Sequence, residues 1–217
     1  MVNLQQNKIL VIDFGSQYTQ LIARRVREIG VYCELVPYDV NPHFIEKFSP
    51  SGIILSGGPD TVSQNDSARA PNIVFDLKVP VLGICYGMQT MAVQLGGEAK
   101  SAKKPEFGFA QIRVRNHSNL LTNISDEINS QGHGLLNVWM SHGIEVTKLP
   151  EDFELIASTD SCPIAGFANS EKNYYGLQFH PEVTHTKQGT QILERFVADI
   201  CKCDKNWTTD NIIEDLL

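Results

Sequence analysis

Basic clusters, long apolar runs and a secretory leader are all missing from this sequence of 217 residues. Its formal net charge is −7. Nucleic acids and anionic membranes attract proteins through positively charged patches, so we expect neither as a partner. No apolar run approaches the roughly 18 residues that a membrane-spanning helix needs. Residues 1–8 are polar and do not match the charged-then-apolar pattern of a signal peptide.

A paired cysteine pattern is also missing. The odd number of cysteines and their irregular spacing do not predict a disulfide framework, so we expect a reduced, cytoplasmic protein. No internal repeat, dinucleotide-binding glycine pattern or GxxxxGK[ST] loop occurs. The chain is 42% hydrophobic, which is enough for one large α/β domain. The five cysteines are Cys33, Cys85, Cys162, Cys201 and Cys203.

Alternating strand and helix patterns fill the first half of the chain. Apolar runs without a polar alternation predict strands of a parallel sheet that helices cover on both faces. These runs lie at residues 8–13, 31–36, 51–55 and 79–84. Because ligands of such folds bind at the carboxyl ends of the strands, the segments 13–16, 56–59 and 83–87 are expected at one edge of the sheet.

The second half of the chain is richer in short strand patterns. We expect a smaller, antiparallel part there, followed by a final helix over about 189–201. Polar stretches at 101–106 and 130–134 are typical of surface loops. The predicted strands lie at residues 111–114, 136–140, 155–158, 164–168 and 174–179.

Cys85 lies in the segment Gly-Ile-Cys-Tyr-Gly at 83–87, just before a helical stretch from Met88 to Leu95. Two glycines allow a sharp turn that a side chain would block. A thiol at the tip of that turn would meet the amides and dipole of the helix start, which favour a thiolate and stabilise an oxyanion. Most free cysteines are simply small buried side chains, so a nucleophile at Cys85 requires a base elsewhere in the chain.

The segment Gly-Leu-Gln-Phe-His-Pro-Glu at 176–182 supplies a candidate base. Pro181 disfavours helix at the preceding residue, so the strand should end at His180. Two residues apart in extended backbone, His180 and Glu182 can approach one side of a ligand. The histidine would be the base, and the carboxylate would orient its ring and stabilise the imidazolium.

Two other interpretations of these segments are weaker. His180, Glu182 and His185 could suggest a metal site, but zinc-protease histidines are four apart on a helix and these are five apart with a proline between them. Residues 56–61, Ser-Gly-Gly-Pro-Asp-Thr, are similar to the pyrophosphate loop of ATP pyrophosphatases. Pro59 has no amide to donate there. A turn that presents the Gly58 amide as an oxyanion donor is the better hypothesis.

Together these motifs resemble the class I glutamine amidotransferases over about residues 8–207. Segments 13–18, 85–89, 139–143 and 180–186 match in particular the subgroup that supplies ammonia for the amination of xanthosine monophosphate to GMP. The resemblance implies an α/β fold, with a flavodoxin-like, open, mainly parallel sheet, helices on both faces and a smaller antiparallel part.

The resemblance also assigns site residues by motif. Cys85 would be the nucleophile, His180 the acid and base, and Glu182 its orienter. One departure is visible, because the subgroup usually has aspartate after His-Gly and this chain has Ile144 and then Glu145. The remaining assignments are the amides of Gly58 and Tyr86 as oxyanion donors, and Gln89, Ser141, His142, Gly143 and Ile144 as the glutamine pocket, with no metal ligand.

A partner domain follows from the same resemblance. Ammonia would pass to an ATP-pyrophosphatase synthetase domain of the same polypeptide, which would bind ATP and magnesium, and the full-length protein would be a homodimer. This chain itself would need no cofactor. We expect residues 1–207 to form the amidotransferase domain and 208–217 to begin a linker or helix toward the synthetase. A cap pattern at 208–210, with apolar Ile212, Ile213, Leu216 and Leu217 after it, favours a longer parent chain.

Two rival functions are compatible with the motifs. One is a free-standing cysteine hydrolase of γ-glutamyl or peptide substrates, which Gln89 and residues 139–143 make less favourable. The other is an inert docking or regulatory module with the same fold, which the intact Cys85, His180 and Glu182 disfavour. Turnover restored by a synthetase partner would separate the second rival from a true amidotransferase.

Overall fold

The chain folds around one ten-stranded mixed sheet in a computed structural model that describes residues 7–62, 66–115 and 118–211. The strand order is β2-β1-β3-β4-β10-β9-β8-β5-β7-β6. The strands are β1 Lys8–Asp13, β2 Tyr32–Pro37, β3 Gly52–Leu55, β4 Val81–Ile84, β5 Glu98–Val114, β6 Glu127–Ile128, β7 Gly134–Lys148, β8 Glu154–Ser158, β9 Gly166–Asn169 and β10 Tyr174–Leu177.

Five neighbouring strands, from β2 to β10 in the sheet order, are parallel, and the remaining pairs are antiparallel. Alternate residues of β1 enter opposite cores: Ile9 and Val11 pack on one face, and Leu10 and Ile12 on the other. Both faces of a parallel sheet need a cover, which explains the unbroken apolar run. The predicted α/β fold with a helix-covered parallel region is confirmed, but the antiparallel strands continue the same mixed sheet, in which four strand pairs are parallel and five are antiparallel.

Helices cover both faces of this parallel region. Helices α1 and α5 contribute to one core, and α2, α3 and α4 to the other. The predicted final helix is confirmed, although its second half is a π-helical segment, Arg195–Ile200. The helices are α1 Thr19–Glu28, α2 Pro42–Phe48, α3 Ile73–Asp76, α4 Tyr86–Gln94 and α5 Gly189–Glu194.

The prediction of a surface loop at 101–106 is wrong, because these residues belong to the long strand β5. Over most of its length β5 pairs with β7, and β8 joins it only at Arg113 and Val114. The pairing register with β7 shifts between Ser101 and Glu106, so residues 102–105 bulge out. Residues 101–106 have the polar sequence of a strand exposed to solvent, in which apolar residues need not alternate with polar ones.

The C-terminal residues extend the chain beyond the sheet. The hydroxyl of Thr208 accepts a hydrogen bond from the amide of Asn211 at 3.4 Å, which fits the predicted cap. The predicted apolar positions Ile212, Ile213, Leu216 and Leu217 lie outside the described residues. In the part of the chain that the structure describes, no helix has the length and apolarity to cross a membrane.

Candidate active site

Cys85 occupies the turn between β4 and α4 in a strained conformation, with φ 51° and ψ −107°. The glycines on either side, Gly83 and Gly87, are needed because other backbone atoms approach them closely. A Cβ at Gly87 would lie 2.2 Å from the carbonyl oxygen of Leu55, and one at Gly83 would lie 2.6 Å from that of Gly87. The predicted sharp turn is therefore present, but its left-handed residue is the cysteine and its glycines let three backbone segments pack together.

His180 and Glu182 form a buried pair directly after β10. The Nδ1 atom of His180 lies 2.7 Å from Oε1 of Glu182, and the residues are 3% and 1% exposed. Among the described residues, Oε2 of Glu182 has no hydrogen-bond partner. Burial would lower the pKa of His180, but hydrogen bonds and charge from Cys85 and Glu182 outweigh it and raise that pKa to about 10. The ring is therefore an imidazolium at neutral pH.

Three groups surround the sulfur of Cys85. Its thiol lies 3.5 Å from the carbonyl oxygen of Ser141, and Nε2 of Gln178 lies 3.6 Å from the sulfur on another side. His180 is the third, through a side-chain hydrogen bond. Gln178 is completely buried and was not predicted as a site residue. Its only sequence signal is an amide at the end of an apolar strand, two residues before the histidine.

A cavity of about 430 Å³ opens beside Cys85 on the side of α4. Gln89 lies on its wall and donates Nε2 to the carbonyl oxygen of Ile144 at 2.9 Å and to Oε1 of Gln178 at 3.3 Å. A second cavity, of about 310 Å³, meets Cys85 from the side of His180. The first cavity is lined by the predicted glutamine-pocket and oxyanion residues, Gly58, Tyr86, Gln89, Ser141, His142, Gly143 and Ile144.

Comparison with known proteins gives this site a family. Residues 10–200 match the family model described as glutamine amidotransferase class-I. The chain belongs to the class-I glutamine amidotransferase family.

Curated relatives of this amidotransferase are named GMP synthase [glutamine-hydrolyzing]. That of Ruthia magnifica subsp. Calyptogena magnifica is 72% identical over 217 residues, which is 100% of this chain and 41% of the relative. That of Hydrogenovibrio crunogenus is 60% identical over 213 residues, 98% of this chain and 40% of the relative. The chain thus spans about two fifths of the length of these curated relatives.

Solved structures agree with the fold. A Thermoplasma acidophilum protein whose structure is assigned to a GMP synthase subunit is 31% identical, with a TM-score of 0.78, and the match covers 96% of this chain and 98% of that one. A glutamine amidotransferase from Thermotoga maritima is 18% identical with a TM-score of 0.65, covering 90% and 98% of the two chains. The second likeness concerns the fold alone.

Gly58 has no room for a side chain in the amidotransferase. An ideal Cβ would lie 2.7 Å from the carbonyl oxygen of Phe14 and 3.0 Å from its Cβ. Because that backbone cannot yield cheaply, Gly58→Ala should rotate the 58 peptide and misplace its amide. If that amide is an oxyanion donor, kcat for glutamine hydrolysis should fall about 10²–10³-fold. Ammonia release at saturating glutamine measures it.

A matched glycine gives the control for this substitution. A Cβ at Gly143, on the wall of the same cavity, meets nothing within 4 Å. Gly143→Ala should therefore have a smaller effect, on KM more than on kcat. Wild-type kcat in a folded Gly58→Ala protein, with an unchanged melting temperature, would remove Gly58 from the oxyanion site.

A second Cys-His-Glu group lies nearby, formed by Cys162, His142 and Glu106, whose ligand atoms are within 4.8 Å of one another. Its cysteine is a poor nucleophile. The thiol lies 3.5 Å from the carbonyl oxygen of Ile164, and burial, with the charges of Glu106 and Glu145, raises its pKa to about 12. Both ring nitrogens of His142 face other acceptors, so this group lacks a base for Cys162.

Glu145, the residue that departs from the usual pattern, is buried on β7. The residue is 8% exposed, and Oε2 has no partner within the described ranges. With Lys103 and Lys104 it lines a cavity of about 500 Å³. Glu145 therefore lines neither of the two cavities that Cys85 lines.

Proposed function

We propose that this chain is the glutamine-hydrolysing part of a GMP synthase, with Cys85, His180 and Glu182 as its catalytic triad. The observation that carries this proposal is the buried His180–Glu182 pair, 2.7 Å apart, beside a cysteine on a strained strand-to-helix turn. The identity of 60–72% to curated GMP synthases over nearly the whole chain supports the choice of subgroup.

In the first half of the reaction, the thiolate of Cys85 attacks the side-chain carbonyl carbon of glutamine. The amides of Gly58 and Tyr86 would stabilise the resulting oxyanion. Because Glu182 occupies Nδ1 of His180, the proton for the leaving group comes from Nε2. The C–N bond then breaks, ammonia leaves, and a γ-glutamyl thioester remains on the cysteine.

In the second half, neutral His180 takes a proton from water as the oxygen attacks the thioester. The C–S bond breaks, glutamate leaves, and the thiolate–imidazolium pair is restored. The balance is one glutamine and one water consumed for one glutamate and one ammonia. Glu182 would keep its hydrogen bond to Nδ1 of His180 and stabilise the imidazolium.

Residues on the first cavity would hold the amino-acid end of glutamine. Gln89 uses both amide protons within the protein, so its Oε1 is the atom left to accept a hydrogen bond from the substrate ammonium. The backbone of residues 141–144 would line the rest of this pocket. Glutamine hydrolysis by these residues needs no cofactor in the chain.

The partner is proposed from the relatives' names and length. Ammonia would be used by a synthetase domain on the same polypeptide, which would bind ATP and magnesium and aminate xanthosine monophosphate to GMP. We place residues 1–207 in the amidotransferase domain and 208–217 in the link to that synthetase. A homodimeric full-length protein in the cytoplasm completes the proposal, and five free cysteines fit that compartment.

Labelling with a glutamine-like chloroketone, followed by mass spectrometry, tests the proposal. We expect one adduct on Cys85, because the reagent carries glutamine's recognition groups to the reactive thiolate, and we expect excess glutamine to prevent it. The full-length Ruthia magnifica relative, treated in parallel, is the positive control. Labelling of neither protein at the equivalent cysteine would contradict the proposed nucleophile.

The same experiment separates the rival hydrolase. Protection by γ-glutamyl peptides that is stronger than protection by glutamine would favour a free-standing hydrolase. Labelling of the relative alone would mean that the triad of the isolated chain needs its synthetase for alignment.

A further inference from the structure

A continuous line of hydrogen bonds runs from Cys85 to a carboxylate on β5. Starting at the sulfur, Nε2 of Gln178 lies 3.6 Å away, and Oε1 of Gln178 accepts from Gln89 at 3.3 Å. Gln89 also donates to the carbonyl oxygen of Ile144 at 2.9 Å. That oxygen lies 3.1 Å from Nδ1 of His142, whose Nε2 lies 3.2 Å from Oε2 of Glu106. We call these six groups the relay.

The Ile144 carbonyl fixes the hydrogen-bond donors on either side of it in the relay. Its oxygen is an acceptor, so Gln89 and Nδ1 of His142 must both donate to it. Nε2 of His142 faces the Glu106 carboxylate at 3.2 Å, so contacts on both ring nitrogens hold the ring in place.

The same logic fixes the orientation of both amides. Gln89 spends its two protons on Ile144 and Gln178, and Gln178 must then accept with Oε1 and turn Nε2 toward the sulfur. A donor aimed at the sulfur favours the thiolate. Burial removes competing water, because Gln178, Gln89 and His142 are 0%, 3% and 3% exposed.

Glu106 is itself anchored by the loop after β8. Its Oε1 accepts from the hydroxyl of Ser161 at 2.5 Å and lies 3.4 Å from that of Thr159. The carboxylate is thus held on both oxygens and cannot turn away from His142. Stability alone does not require polar groups here, since an apolar cluster in their place would pack β5 against the loop equally well.

We propose that Glu106 is a positioning residue for glutamine hydrolysis, acting through His142 and Ile144 on the orientation of Gln89 and Gln178. It touches neither the substrate nor the sulfur. Its effect is to hold Oε1 of Gln89 toward the pocket and Nε2 of Gln178 toward Cys85. The kinetic consequences rest on the proposed function, whereas the hydrogen bond from Nδ1 of His142 to Ile144 does not.

Glu106→Ala and Glu106→Gln separate positioning from packing. Glutamine at 106 can keep a hydrogen bond to Nε2 of His142 and still accept from Ser161, so the relay survives; alanine leaves Nε2 without a partner. We expect Glu106→Ala to raise KM for glutamine and to slow chloroketone labelling of Cys85, each at least about 10-fold, the loss of one strong hydrogen bond. Glu106→Gln should restore both to within about threefold.

Glu145→Gln is the matched control, because it removes a neighbouring buried carboxylate that is not in the relay, and it should behave as wild type. Wild-type KM and labelling in Glu106→Ala, or equal losses in Glu106→Ala and Glu106→Gln, would overturn the proposal. Equal losses in Glu145→Gln and Glu106→Ala would also overturn the proposal, because the removal of any buried carboxylate charge would then explain the effect.

Two further measurements keep the test decisive. If Glu106→Ala does not fold, Gln178→Glu replaces it: an isosteric carboxylate cannot donate to the sulfur, and alkylation of Cys85 by neutral iodoacetamide should slow at least about 10-fold. Nitrogen NMR of the His142 ring needs no turnover. A proton on Nδ1, hydrogen-bonded to the Ile144 carbonyl, is expected, and an Nδ1 without a proton would overturn the relay whether or not the proposed glutaminase function holds.

Discussion

Cys85→Ala is expected to abolish glutamine hydrolysis, with a fall in kcat of at least about 10⁴-fold, because no other group can form the thioester. Cys162→Ala is the decisive comparison, since it removes the nucleophile of the second Cys-His-Glu group. Burial and neighbouring carboxylates hold the pKa of its thiol at about 12, so kcat should stay within a few-fold of wild type. Ammonia release from both variants, and from the equivalent variants of the full-length relative, measures the contrast.

Fold and chloroketone labelling accompany these rates. Both variants should show a single cooperative melt, and only Cys162→Ala should take up the label. Loss of turnover in a folded Cys162→Ala protein, with retained turnover in Cys85→Ala, would move the nucleophile to the second group and reject the triad proposed above.

His180→Asn is expected to have the second largest effect. It would remove the proposed acid that releases ammonia and the proposed base that activates water, and general acid–base catalysis typically contributes about 10²–10⁴-fold to each. We expect thioester formation and hydrolysis to slow by at least about 10³-fold. His185→Asn is the matched control, because the His185 ring lies outside the triad, tilted against Trp139 with ring centroids 4.4 Å apart. Single-turnover kinetics separates the two steps.

The charge of His180 should also make the stability difference between wild type and His180→Asn depend on pH. Its pKa is raised from an ordinary 6.5 to about 10 in the folded protein. Protonation therefore stabilises the folded state fully below about pH 6.5, and this contribution is lost as the pH rises through 10. The melting temperature of wild type minus that of His180→Asn should thus shrink from pH 6 to pH 10. A constant difference, or one that grows with pH, would contradict a buried imidazolium.

Sequence patterns predicted the parallel half of the fold well, and the reason is burial. Strands such as β1 and β3 are covered on both faces, so almost every residue must be apolar and the run is visible without any structure. Strand β5 is the opposite case: solvent covers much of it, its residues 101–106 are polar, and the pattern of a loop and that of an exposed strand coincide. The short helix α3, a single turn, gave no periodicity to detect.

The candidate site was predictable where the chemistry is local. Cys85 sits between glycines, and His180 and Glu182 are separated by one proline, so each motif is complete within a few residues. Gln178 and Glu106 were missed because their roles depend on contacts across the fold: Gln178 meets Cys85 across 93 positions, and Glu106 meets His142 across 36. No local pattern distinguishes such residues from ordinary polar ones.

The backbone at Cys85 sets chemistry against stability in one residue. A side chain at φ 51° and ψ −107° is strained, at a cost of order 1–3 kcal/mol, and glycine would relieve most of it. Glycine at this position would make the fold more stable and would remove the proposed nucleophile. The cysteine can hold this conformation because β4, α4 and the packed glycines around it over-determine the turn. The packing of the parallel core therefore fixes the position of one sulfur atom.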